Sequence, residues 1–129
     1  MHPFPPADEL SFLVGEELTQ IILNPFGITF NFASGRAIVC DEAFDFVDGA
    51  GASSNYPCCA AEAPPIRFYS LLQSTVVALA REELRLMLRF DSGMAIVFHS
   101  VLGPYESGQI HFGRFDDEDR GKTLKLIVF

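Results

Sequence analysis

Residues 76–90, VVALAREELRLMLRF, admit two readings, and the choice between them decides the fold. Ala, Leu, Arg and Glu are good helix formers, and Leu79, Leu86 and Phe90 fall near one helical face. Against that, Leu84, Leu86, Leu88 and Phe90 alternate with Arg85, Met87 and Arg89, the period of a strand with one buried face. The arbiter lies 58 residues earlier. Leu13–Cys40 aligns on Leu71–Phe98 without a gap, with seven of the 28 pairs identical. In that earlier copy the corresponding stretch carries Pro25 and Gly27, which oppose a helix, and Phe26, Ile28, Phe30 and Phe32 alternate in the same way. Residues 76–90 are therefore read as strand.

The identities concentrate in NFASGRAIV (31–39) and RFDSGMAIV (89–97). Two amphipathic strands resemble each other whenever their periods match, but that does not account for the shared Ser-Gly. A type I turn followed by a residue at positive φ gives a bulged hairpin, and Gly35 and Gly93 would hold that position. Each copy thus reads as a three-stranded meander, with first strands near 17–23 and 75–81.

The expected fold is all-β: a single domain over 1–129 with an internal repeat at 13–40 and 71–98. The two similar meanders would close into a small barrel or pack as a sandwich. Residues 48–65, including the Gly/Ser/Asn-rich DGAGASSNYP, read as a joining loop. IRFYSLLQ (66–73) reads as a strand or one short helical turn, and TLKLIVF (123–129) as a closing strand docked in a sheet or subunit interface. Thirteen Phe without a Trp suit half-buried pleated surfaces.

The net charge of −8 is unevenly placed. Residues 1–64 hold nine acids and one base, Arg36, whereas residues 65–129 hold eight of each. An acidic chain gains nothing from counterion release, so nucleic acid is not an expected partner, and anionic membrane surfaces are disfavoured likewise. No apolar run approaches the ~20 residues that span a bilayer, and MHPFPPADEL lacks the pattern of a signal peptide. A cytoplasmic location is the expectation. Cys40, Cys58 and Cys59 are not spaced as a disulfide framework or a zinc site, so reduced thiols are expected. DGAGAS lacks the Lys and context of a phosphate loop, and Asp116–Asp119 lacks the spacing of a calcium loop. No metal and no cofactor are expected.

His99, Tyr105, Glu106, Ser107 and His111 are the one polar group with chemical variety. Glu with His suits acid–base work, and a histidine can activate a serine. No nucleophile motif surrounds Ser107, so these residues are carried as ligand-binding candidates and no catalytic residue is assigned.

The series LVGEELTQI, FNFASGRAIV, LRFDSGMAIV and YESGQI resembles small uncharacterised bacterial proteins grouped as a domain of unknown function. The most distinctive part is Tyr105-Glu106-Ser107 followed by Ile110. Proteins of that kind occur beside toxin systems, so the resemblance implies an immunity or partner-binding role and no catalytic residues. The expectation is a non-enzymatic protein-interaction module with a protein partner, and a homodimer, since much apolar surface must be covered in so small a domain. The alternative is a small enzyme or ligand-binding protein using His99, Tyr105, Glu106 and His111.

Overall fold

Residues 76–90 are two paired antiparallel strands in the computed structural model, which describes residues 3–101, 106–112 and 126–129. In chain order the strands are β1 (Leu18–Asn24), β2 (Gly27–Phe32), β3 (Ala37–Cys40), β4 (Ala43–Val47) and β5 (Ser53–Pro57). After them come β6 (Val76–Glu82), β7 (Arg85–Phe90), β8 (Ala95–His99), β9 (Gly108–His111) and β10 (Leu126–Val128). A single helical turn, α1 (Ala7–Leu10), precedes them. The alternation in β7 outweighs its helix propensity because Leu86, Leu88 and Phe90 are buried while Arg85 and Arg89 stay exposed.

The strands form two five-stranded antiparallel sheets, ordered β1-β2-β3-β9-β10 and β5-β4-β8-β7-β6. Each sheet takes a meander from one half of the chain and two strands from the other. The strand after β3 crosses to pair with β8, and the strand after β8 returns to pair with β3. The sheets pack face to face as a sandwich, and among the described residues no barrel closes. Between them lies an aromatic core in which Phe44 meets Phe30, Phe68 and Phe98 at ring distances of 5.2 to 6.4 Å and Tyr56 at 5.5 Å. The abundance of Phe is spent here, where each ring buries a large apolar area.

Main-chain bonds recur at positions 58 residues apart. Leu18 N–H donates to Ser74 O and Val76 N–H to Glu16 O, both at 2.9 Å, on either side of the Glu17–Thr75 bridge. Ala33 N–H reaches Glu17 O as Asp91 N–H reaches Thr75 O. The two hairpin turns match as well: Gly35 (φ 96°) and Gly93 (φ 86°) each donate to the Phe three residues before, at 3.0 Å. Both sit in the left-handed region that a Cβ would strain.

Two expectations change. The loop assigned to 48–65 contains β5, which pairs with β4 from Val47↔Ser53 to Ala43↔Pro57, and the short 3-10 turn Ala60–Glu62. This strand is set by its tertiary partner and not by apolar alternation of its own. Phe26, taken as the first inward residue of β2, sits in the β1–β2 turn and is 77% exposed. The stretch near 66–73 holds a 3-10 turn at Phe68–Leu71. Of the expected closing strand, Leu126–Val128 is β10, and Phe129 is buried against the core. The acidic run at 116–119 lies outside the described residues.

Candidate functional site

The polar residues singled out in the sequence are not gathered in one place. His99 ends β8 beside Asp45 of β4, with Nε2 2.7 Å from Oδ2, on the outward face of one sheet. His111 lies on the outward face of the other sheet, where its Nε2 is 3.0 Å from Gln109 Oε1, and Gln109 Nε2 donates to Glu106 Oε1. The aromatic core separates the two faces, so His99 does not share a pocket with His111 and Glu106. Ser107 is buried and committed to the backbone. Its Oγ accepts from Val101 N–H at 2.8 Å, its carbonyl accepts from Asp41 N–H at 2.9 Å, and its N–H donates to Phe129 O. Tyr105 lies outside the described residues.

The cysteines are free, as reduced thiols, but two of them meet. Cys40, the last residue of β3, is in hydrogen-bond contact with Cys58, which follows β5 in the opposite sheet. That contact, together with burial, pushes the Cys40 thiol far up, and its S–H donated to Cys58 draws the Cys58 thiol down. No spacing rule brings 40 and 58 together, so only the fold reveals the pair. Among the described residues no group of three or more His, Cys, Asp or Glu is placed to hold a metal.

Cys58 also lines a feature that no sequence motif announces. A cavity of about 500 Å³ opens between the β1–β2 hairpin and the segment from Tyr56 to Phe68. Its wall is formed by Leu23, Ile28, Tyr56, Cys58, Ala60 and Phe68, with Pro64, Pro65 and Ile66 along the side. The segment is held in place by Tyr56, whose hydroxyl donates to Pro65 O and accepts from Arg67 N–H, both at 2.9 Å. At the turn Ala60 N–H is bonded to Pro25 O at 2.9 Å. The size and apolar lining are those of a small-ligand or anchor-residue pocket.

The surroundings of the cavity are acidic. Asp41 and Glu42 lie close enough to Cys58 to oppose its ionisation, and Glu62 stands in the turn beside Ala60; all three carboxylates are exposed. None of the three makes an ion pair among the described residues, and no base lines the cavity. Partial desolvation of the largely exposed Asp41, and after it the Glu106 carboxylate, hold its carboxyl above its ordinary value. Ionising Asp41 therefore costs more in the folded chain than in the unfolded one. Asp41→Asn is expected to raise the thermal midpoint at pH 7. That gain should vanish below about pH 3, where the carboxyl is protonated folded and unfolded alike. Unfolding followed by circular dichroism at the two pH values checks the sign.

Comparison with known proteins returns no matching family model, no matching curated protein and no matching solved structure. Fold and site together define an antiparallel β-sandwich with an apolar cavity bordered by the Asp41, Glu42 and Glu62 carboxylates. Among the described residues no helix is long and apolar enough to cross a membrane.

Proposed function

We propose that the chain is a non-enzymatic protein-interaction module of the immunity-like kind, docking a basic partner at the cavity. The supporting observation is the cluster of exposed apolar side chains about the opening. Leu23 is 52% exposed and Ile66 48%, both on the cavity wall, and Phe26 projects 77% exposed from the adjoining turn. Large apolar side chains clustered around a concavity and rimmed by charge are the composition of a docking surface. The carboxylates of Asp41, Glu42 and Glu62, which make no ion pair among the described residues, set the sign of the partner, since complementary charge steers encounter. A two-fold dimer would use the C-terminal strand or another apolar face, since pairing this surface with itself would set like carboxylates against each other.

The test is capture of a partner from the native cell extract at low and high salt, with the double variant Phe26→Ser, Ile66→Ser as the control surface. A partner bound at low salt, weakened at high salt and lost with the variant is the expected result. A partner indifferent to both salt and variant, or none at all, would contradict the proposal. Light scattering on the purified chain over a concentration series separates self-association from a second protein.

A further inference from the structure

The recurring bonds pair the two sheets row by row. In one sheet a row of neighbours runs Leu23, Ile28, Cys40, Gly108, Phe129, and in the other Arg81, Leu86, Phe98, Phe44, Tyr56. Tyr56 thus holds the place of Phe129. The segments crossing the hairpin ends match too. Phe4 N–H donates to Glu83 O in the β6–β7 turn at 2.8 Å, as Ala60 N–H donates to Pro25 O in the β1–β2 turn at 2.9 Å. Glu83 and Pro25 are 58 residues apart, so Ala60 holds the place of Phe4.

The two slots are filled differently. At one end the Phe4 ring, 1% exposed, stacks on Phe129 with centroids 4.7 Å apart. Arg81 clamps that segment, its guanidinium donating to the Phe4 and Pro5 carbonyls. At the other end Ala60 brings only a methyl group, and Leu23, which takes the place of Arg81, donates nothing. Phe68 packs edge-on against Tyr56 at 4.8 Å on one side, and the space next to Ala60, beside Ile28, is left as the cavity of about 500 Å³. An open apolar concavity of this size favours an apolar occupant, whose seating removes both surfaces from water.

We propose that the cavity is a receptor for an aromatic ring carried beside positive charge: the aromatic anchor of a basic polypeptide segment, seated as Phe4 is seated in the opposite slot. The ring is specified by the occupied slot, and the charge by Asp41, Glu42 and Glu62 with no base on the wall. The proposal rests on the docking reading above for the carrier of the ring, but not for the ring itself. Anchoring aromatics in desolvated pockets commonly dominate the energetics of such contacts.

Three blocked tetrapeptides test it by chemical-shift titration of the labelled protein: lysine-lysine-phenylalanine-lysine, the same peptide with alanine for phenylalanine, and glutamate-glutamate-phenylalanine-glutamate. The first is expected to bind with a Kd on the order of 1 mM or below and to shift Leu23, Ile28 and Phe68. The other two should bind about tenfold more weakly or not at all. Ala60→Phe, which supplies the missing ring from within, should abolish binding. Ala63→Phe, on the cavity wall outside the matched rows, gives a second block should Ala60→Phe fail to fold. Equal binding of the three peptides, or binding unchanged in a folded blocking variant, overturns the proposal. Capture of the cellular partner unaffected by Ala60→Phe also overturns it while leaving the docking reading intact. Selective peptide binding without a cellular partner upholds the ring receptor and removes the docking reading.

Discussion

Phe4→Ala is expected to destabilise the protein by about 3–4 kcal/mol, the cost of deleting a buried ring and leaving a cavity behind. Phe4 precedes every strand, yet its ring is 1% exposed and stacked on Phe129, which in turn packs edge-on against Phe98 at 6.2 Å. Because Arg81 holds the backbone of Phe4 and Pro5 independently of the ring, the segment has an anchor in the variant and the slot cannot simply collapse. Urea unfolding followed by circular dichroism reads the loss. A change below about 1 kcal/mol would show that the ring is not part of the core, and the match between the two slots would fail with it.

Gly108→Ala is the second large effect, and its cause is steric. A Cβ at this position would collide with the Val39 carbonyl oxygen and with the ring of Phe129. The oxygen belongs to β3, whose ladder with β9 pairs Val39 with Gln109 and Cys40 with Gly108, so it cannot retreat without breaking that pairing. The ring cannot retreat either, because Phe4 lies stacked on it. A loss of about 2–4 kcal/mol is expected, in the range of overpacked cores. Gly49→Ala is the control: a Cβ there meets nothing within 4 Å, and a change within about 0.5 kcal/mol is expected. Thermal unfolding of the two variants side by side makes the comparison, and similar losses in both would contradict the close approach at Gly108.

The position of Gly108 also explains how far the fold was legible in the sequence. The meanders were readable because Ile28, Phe30, Phe32 and Leu86, Leu88, Phe90 alternate, and period two is a local property of the chain. β5 was not, because Ser53–Pro57 carries a strand only by pairing with β4, and a tertiary partner leaves no periodic trace. Phe44 and Phe46 on β4 did alternate, and their signal was lost beside the turn-rich stretch that follows. The crossing of β4 and β9 between sheets was out of reach for the same reason as β5, since loop closure and pairing are decided by the whole sandwich.

The candidate site was less legible still. His99, Glu106, Ser107 and His111 drew notice for their chemical variety, but strand alternation points the two histidines outward from different sheets and turns Ser107 into a buried backbone partner. The cavity has the opposite character. It is defined by a ring that is missing at Ala60, in a stretch, CCAAEAPP, that reads as linker, and an absence of bulk is visible only once the occupied slot at Phe4 stands beside it. The exposed Phe26 is of the same kind: on the alternation it belongs inside, and only the observed turn puts it beside the opening.

The most direct measurement is a crystal grown with the lysine-rich tetrapeptide carrying 4-bromophenylalanine in place of phenylalanine, with data collected at the bromine edge. One anomalous peak is expected in the slot between Ile28, Tyr56 and Phe68, with the peptide chain passing Ala60 as the segment of Phe4 passes the opposite hairpin. A bromine peak on an outer face of the sandwich, or an empty slot at saturating peptide, would contradict it.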